Sequence, residues 1–357
     1  MRAGVPTPTA GDPLTWLLTG GAGYIGAHIA RALRAAGTPV VVLDDLSTGY
    51  REYVPDDVPL VEGSVADPAA VDAALDRGAT GVLHLAGLKY AGVSVQRPLE
   101  FFHANVTGMQ VLMEAVARRG IDRVLFSSSA SWYGTPQREL VDEDTPPAPE
   151  SPSGQRKVIS EGLLRDVART RPALRHTSLR YFNVCGSGPP EIADHSPHNL
   201  FPRVFRMLSA GEAPTINGTD YPTPDGTCVR DYIHVVDLAD AHVAAARALD
   251  AGSALAPAYN VGRGVGSSVR QVLDAIARET GIALAPVEGP RRAGDPARIV
   301  GAVDRIRAEL GWTARHDLDA MVRSAWAAWE WNLARHGGAP PGGGRWHSGA
   351  AGAPGRA

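Results

Sequence analysis

The chain has 357 residues, 44% hydrophobic and 20% charged, the balance of a soluble globular protein with room for one large domain or two linked ones. A net charge of −3 excludes the broad basic field that holds nucleic acid or an anionic membrane. No apolar run reaches the roughly 20 residues that span a bilayer, and Cys185 and Cys228 form no metal-ligand spacing. Residues 1–13 hold Pro, Gly and Thr without an apolar stretch, so they read as a loose arm and not as a signal peptide, and a reducing cytoplasm is the expected location.

The first predicted strand is the short apolar run 15–19. Gly20-Gly21-Ala22-Gly23-Tyr24-Ile25-Gly26 follows, then a helical pattern over 27–36 closed by Gly37. A second buried strand over 40–43 ends at Asp44-Asp45. Strand, glycine turn, helix, strand and acid make up the parallel βαβ dinucleotide unit. Its glycines let the backbone turn sharply beneath a pyrophosphate, which the free N–H groups of the helix then hold. An acid at Asp44 accepts from ribose hydroxyls and repels a 2′-phosphate, so NAD is expected over NADP.

The alternation continues. Strands are predicted over 58–61 and 81–85, the latter running into Ala86-Gly87-Leu88-Lys89. A helix over 98–118 and a strand over 123–127 come next, then a long helix within 150–170 and a strand over 176–180. The fold class is α/β, a Rossmann-type doubly wound parallel sheet spanning 14–184, with ligands expected at the carboxyl ends of its strands. The texture then turns rich in Pro, Gly and Asn over 186–225, with one helical stretch near 199–208. A β pattern over 229–235, a helix over 236–250 and a strand over 258–261 follow. The segments 269–280, 303–310 and 318–335 are helical. Residues 185–336 read as a smaller mixed α/β substrate lobe in which about 229–262 crosses back to the first domain, and 337–357 as a disordered tail.

Of the 35 basic residues only Lys89 and Lys157 are lysine. Ammonium and guanidinium are not interchangeable, so two lysines retained among arginines are candidates for chemistry, unless they are simply surface residues. Lys157 ends the stretch Ser151-Pro152-Ser153-Gly154-Gln155-Arg156-Lys157 at the start of a predicted helix, one turn after Ser153 on the same face. Ser127-Ser128-Ser129 lies past a strand end, where it lines a site or caps a loop. Asn183 and Asn199 suit a ligand or a turn, Arg230 a diphosphate or an ion pair with Asp231, and His84 reads as a packed core histidine.

The glycine motif, Ala86-Gly87-Leu88-Lys89, Ser127-Ser128-Ser129-Ala130, Leu179-Arg180-Tyr181-Phe182-Asn183 and Val229-Arg230-Asp231-Tyr232-Ile233-His234-Val235 together resemble the UDP-glucose 4-epimerase family of extended short-chain dehydrogenase/reductases. The stretch 220–227 is also similar, and the resemblance covers roughly residues 14–335. It implies a tightly held NAD that takes hydride from C4 of a UDP-sugar while a tyrosinate takes the O4 proton. The 4-keto sugar then turns over and regains the hydride on its other face. Carried onto this sequence, the resemblance assigns the cofactor to Gly20, Gly23, Tyr24, Ile25, Gly26, Asp44, Asp45, Ser64, Val65, Ala86, Gly87, Leu88, Lys89, Asn105, Lys157 and Tyr181. It assigns the UDP-sugar to Lys89, Ser129, Asn183, Asn199, Leu200, Arg230, Arg292 and Asp295, and catalysis to Ser129, Lys157 and the position of Ser153. It implies a homodimer joined by helices, for which the apolar stretch 106–116 is suited, as it is equally to packing on the sheet.

The pattern breaks at Ser153, where the family has the tyrosine of Tyr-x-x-x-Lys. An aliphatic hydroxyl cannot replace a phenol titrating near 10 as a base. The readings left open are an epimerase using another base or a water, an enzyme on a related nucleotide sugar, and a fold that binds NAD and a nucleotide sugar without turnover. A substitution introduced into the chain would look the same. Tyr90, next to Lys89, is a candidate replacement phenol. Ser64 stands where the family commonly has an aspartate that contacts adenine, so weaker adenine recognition is expected. Ala130-Ser131 lacks the Asp-Glu pair of nucleotide-sugar dehydratases, which argues against dehydration.

Overall fold

The computed structural model describes residues 14–89, 91–292 and 294–338. The expected arm, Tyr90 and the expected tail from 339 lie outside the described residues. Strand β1 (Thr15–Thr19) leads through the glycine turn into helix α1 (Tyr24–Ala35), and β2 (Val40–Asp44) follows. Then come β3 (Leu60–Glu62), α2 (Pro68–Leu75), β4 (Ala79–His84), α3 (Ala91–Gln96), α4 (Pro98–Phe102) and, after a π-helical turn at His103–Thr107, α5 (Gly108–Arg119). Strand β5 (Arg123–Ser129), α6 (Pro152–Thr170) and β6 (Arg175–Tyr181) complete the first half. The second half runs β7 (Asn183–Cys185), α7 (Leu200–Ser209), β8 (Thr215–Asn217), β9 (Val229–His234), α8 (Val235–Asp250), β10 (Ala258–Val261) and β11 (Gly266–Ser268). It closes with α9 (Val269–Thr280), β12 (Val287–Gly289), β13 (Arg298–Ile299), α10 (Asp304–Leu310) and α11 (Leu318–His336).

Seven parallel strands form the main sheet in the order β10-β6-β5-β4-β1-β2-β3. The order reverses at β1 and β4, which opens a crevice at the carboxyl ends of these strands. The central strands β1 and β2 are buried on both faces and so read as continuous apolar runs, as in Leu17-Leu18 and Val40-Val41-Val42-Leu43. One face is covered around Ile29, Leu33, Leu238 and Ala245, the other around Val71, Leu112, Val116 and Leu164. Strand β10 joins the sheet beside β6, far along the chain. The smaller lobe is built on β9, which pairs in parallel with β7 and β13 and antiparallel with β11, over a core of Phe201, Phe205, Ile276 and Trp329.

Three expectations shift. Helix α1 starts at Tyr24 and not at 27, because Gly23 takes the extended N-cap conformation and its carbonyl accepts from Ala27 N at 2.8 Å. The third strand lies two residues later than predicted, because Pro55 to Val58 close a turn (Val58 N to Pro55 O, 2.9 Å). The expected helix 98–118 is interrupted by the π turn, which holds Asn105 against the loop after β4. Met109, Leu112, Met113 and Val116 face the sheet, so that stretch is core.

Helix α6 is anchored by a buried ion pair. Arg180 on β6 donates from Nε to Glu161 Oε1 at 3.0 Å and from Nη2 to Oε2 at 2.8 Å, and Ser128 Oγ donates to Oε1 at 2.5 Å. Both partners are about 5% exposed or less (5% and 4%). Removing one partner strands the other charge inside, at a cost of about 3–5 kcal/mol. Glu161→Ala is therefore expected to lower unfolding stability by about that amount in a urea titration; a loss below about 1 kcal/mol would mean that α6 is held by other contacts.

Candidate active site

One cavity of about 620 Å³ lies at the carboxyl ends of the strands and continues between the sheet and the smaller lobe. Every residue assigned above to cofactor, sugar or catalysis lines it. The glycine turn forms its floor. Gly20 has φ +74°, and a Cβ there would lie 2.8 Å from Ala86 N. A Cβ on Gly26 would lie 2.1 Å from the Gly20 carbonyl oxygen, so only glycine lets α1 approach the turn. The N-terminus of α1 has no side-chain cap and no acid in its first turn, which leaves its N–H groups for an anion.

Asp44 ends β2 beside this turn. Its Oδ2 accepts from Ala22 N and its Oδ1 from Leu46 N, both at 2.9 Å. Burial pushes its carboxyl up to about 6, against these two hydrogen bonds. Asp45 Oδ1 accepts from the backbone and hydroxyl of Ser47 at 3.0 and 2.6 Å. Ser64 Oγ accepts from Ala66 N at 3.2 Å, and Val65 is buried beside it. Asn105 uses its amide on Leu88, accepting from N at 2.7 Å and donating to O at 2.8 Å, so it fixes the Ala86-Gly87-Leu88-Lys89 loop. A Cβ on Gly87 would meet that amide at 2.8 Å.

Ser129 Oγ accepts from Ser131 N at 3.1 Å, so it caps the turn after β5 while facing the cavity. Ser151 is the N-cap of α6, accepting from Gly154 N at 3.1 Å, and Pro152 follows in the first turn. Ser153 and Lys157 thus stand one turn apart on the cavity side. Lys157 Nζ donates to Ser127 O at 2.7 Å and sits 4.7 Å from the Phe126 ring centroid. Burial lowers its ammonium from 10.5 to about 8, against the opposite pull of Glu161. Burial raises the Tyr181 phenol to about 12, against the opposite pull of Ser127. His84 is buried against Phe126 with Nδ1 2.7 Å from Thr19 Oγ1, a core residue.

The far wall belongs to the smaller lobe. Asn183 opens β7, Asn199 is the N-cap residue of α7 and Leu200 its first residue. Asn199 donates to Asp194 Oδ2 at 2.6 Å and does not cap the helix by its side chain. Arg230 pairs with Asp295 at 2.5 Å and not with Asp231, whose buried carboxylate accepts from the backbone of Arg263, Gly264 and Gly301. Arg292 completes this wall. Sequence reasoning missed His198 and Arg203, which also line it. Burial and then the charge of Arg292 hold both below their ordinary pKa values, and Lys89 adds to the effect at His198. Their signal was the placement of Arg203 one turn into the helix that Asn199 opens.

Residues 16–262 match the NAD dependent epimerase/dehydratase family. The chain belongs to that family. Within it, the chain is 43% identical over 331 residues to the UDP-glucose 4-epimerase of Azospirillum brasilense, covering 91% of this chain and 94% of that one. It is 40% identical to the enzyme of the same name from Corynebacterium glutamicum, covering 87% and 94%. Among solved structures, UDP-glucose 4-epimerase from Brucella ovis in complex with NAD superposes with a TM-score of 0.82 at 37% identity, covering 87% and 97%. The Stenotrophomonas maltophila enzyme, with bound NAD and formylated UDP-arabinopyranose, gives 0.85 at 34%, covering 91% and 100%. The chain has its glycine turn after β1, Asp44 at the end of β2 and Lys157 on α6, with Ser153 one turn before that lysine.

The depressed pKa of Lys157 has a thermodynamic consequence. The native chain binds fewer protons than the unfolded chain between about 8 and 10.5, so this residue's contribution to stability rises with pH through that window. In protein stripped of nucleotide, Lys157→Met is expected to raise stability toward urea near neutral pH. Its advantage should shrink as pH passes from about 8 to 10.5. An advantage that stays constant across the window would show that the ammonium is not destabilised in the fold.

Proposed function

We propose that this chain interconverts UDP-sugars at C4, of the UDP-glucose/UDP-galactose type, with a bound NAD and through a transient 4-keto sugar. One observation carries this reading: the residues suited to a dinucleotide and those suited to a sugar diphosphate share a single cavity. The glycine floor, the open N-terminus of α1 and Asp44 suit the pyrophosphate and ribose of NAD, which when bound supplies the hydride acceptor. Arg230 and Arg292, with Asn183, Asn199, Leu200 and Asp295 around them, suit the UDP moiety. Lys89 and Ser129 lie where the hexose would stand between the two. Lys157 stands beside the nicotinamide ribose in this reading, and Tyr181 and Asn105 shape the ring's surroundings.

A second reading, binding of NAD and a UDP-sugar without turnover, is favoured by Ser153. Among the described residues, Tyr24, Tyr181 and Tyr232 line the cavity and do not replace the missing phenol. Tyr24 OH donates to Gly186 O, and burial raises the phenols of Tyr24, Tyr181 and Tyr232. Incubation of purified protein with UDP-galactose decides between them. UDP-glucose formation supports the first reading, and tight UDP-sugar binding with no product supports the second. Ser153→Tyr is expected to increase turnover at least about a hundredfold, the usual contribution of a positioned acid–base group. No change in rate would mean that the rest of the site is not arranged for C4 chemistry.

In the same reading the protein is a cytoplasmic homodimer. Both cysteines are free and buried, as suits a reducing compartment, and no helix among the described residues is long and apolar enough to cross a membrane. Val95, Leu99, Phe102 and Ile159 are exposed large apolar residues on α3, α4 and α6, three helices packed together on one side of the sheet. A second copy of the chain is the proposed occupant of that face. Leu99, 85% exposed, is the residue to change. Leu99→Glu is expected to convert the dimer to monomer in sedimentation analysis, and a sedimentation profile unchanged from that of the parent dimer would remove this face from the interface.

A further inference from the structure

We propose that Lys157 is the proton acceptor for the sugar O4 in this chain, the role that a phenol at position 153 would otherwise fill. The proposal rests on the C4-epimerase reading above and names the base within it.

Ser153 and Lys157 face the same cavity from one side of α6, a turn apart. A serine side chain ends well short of where a phenol hydroxyl would reach, so the next titratable group along that face is the Lys157 nitrogen. Among the described residues that nitrogen makes one hydrogen bond, donating to Ser127 O at 2.7 Å, and it lies over the Phe126 ring. A neutral amine keeps this donation through one N–H and still has a lone pair to accept a proton.

The charges around it favour the amine. Among the described residues Lys157 forms no ion pair. Glu161, the carboxylate one turn further along α6, is bound on both oxygens by Arg180 of β6, and Ser128 of β5 donates to it as well. From β4, His84 presents a buried imidazole that is held neutral, with its value near 3. From β6, Tyr181 presents a phenol held neutral near 12. Lys89 adds a like charge on the cavity wall. The pull of Glu161 on the ammonium is outweighed by burial, which brings Lys157 to about 8. A base with that value is half neutral just above physiological pH.

The step balances. The O4–H bond breaks and an N–H bond forms at Nζ. The C4–O bond becomes double as hydride leaves C4 for the nicotinamide, so the alcohol is oxidised and the dinucleotide reduced. The positive charge in the pocket keeps its count, because a cationic ring is neutralised as the neutral amine becomes ammonium. On the return step the ammonium gives its proton back to O4 as hydride reaches the other face of C4.

With only two lysines in the chain, the test can be read without turnover. Protein carrying ¹³Cε-lysine gives two lysine signals, and Lys89→Arg leaves the one from Lys157. A titration midpoint near 8 is expected, and a midpoint at the ordinary 10.5 would overturn the proposal. UDP-galactose conversion by the unaltered chain should climb with pH and level off above the same midpoint. Lys157→Arg keeps the cation but has no neutral form; conversion should fall at least about a hundredfold. Calorimetric binding of UDP-glucose should be retained, with bound dinucleotide checked in each sample. Conversion that persists in Lys157→Arg would overturn the base assignment and leave the C4 reading intact. If the unaltered chain binds UDP-galactose and converts none at any pH while Ser153→Tyr converts it, the base assignment also fails and the site reading stands. If neither protein binds a UDP-sugar, the functional reading itself fails. Should Lys157→Arg lose its dinucleotide, the titration midpoint and the pH profile of the unaltered chain decide.

Discussion

The buried pair between Arg180 and Glu161 is the constraint on which the catalytic end of this molecule depends. Arg180 leaves the last strand of the first half and reaches Glu161 in the middle of α6 with two parallel hydrogen bonds. Its remaining nitrogen donates to Tyr133 OH and Glu143 O, and its guanidinium lies 3.7 Å from the Trp132 ring centroid. Tyr133 in turn donates to Asn260 on β10 at 2.6 Å. One planar cation therefore ties α6, the turn after Ser129 and a strand from far along the chain into one rigid unit. A lysine, with a single point charge, could not hold these directions at once.

The same pair shapes the chemistry of its neighbour. Glu161 is bound on both oxygens by Arg180, and among the described residues Lys157 forms no ion pair, held by a carbonyl and an aromatic face. A buried ammonium without a carboxylate is poised to lose its proton. The opposite end of the cavity is arranged in the reverse sense. There Arg203, Arg292 and His198 lie close together, and Arg230 pairs with Asp295. The charge of that wall suits a polyanion, and the acid at the Asp44 end suits hydroxyl donors.

Much of this was legible in the sequence, for reasons that are local. The glycine turn is fixed by steric exclusion between residues a few positions apart, as the contact awaiting any Cβ on Gly26 shows. The apolar runs of β1 and β2 are continuous because both faces of a parallel sheet are covered. Ser151 and Pro152 mark the start of α6 through capping rules that need no tertiary context. Where local rules were weak, the reading slipped. The π turn around Asn105 exists because a distant loop needs its amide, and the short strands β7, β8, β11, β12 and β13 are defined by partners elsewhere in the chain.

The sequence by itself determined the parallel α/β architecture, the dinucleotide turn with its acid, and the absence of a phenol at position 153, because each depends on residue type and near spacing. Tertiary structure alone decided which charges meet. Arg230 pairs with Asp295 and not with its neighbour Asp231, which is satisfied by three backbone N–H groups. Glu161 goes to Arg180 and leaves Lys157 unneutralised. Ion pairing inside a protein follows distance and burial in three dimensions, and neither is encoded in separation along the chain.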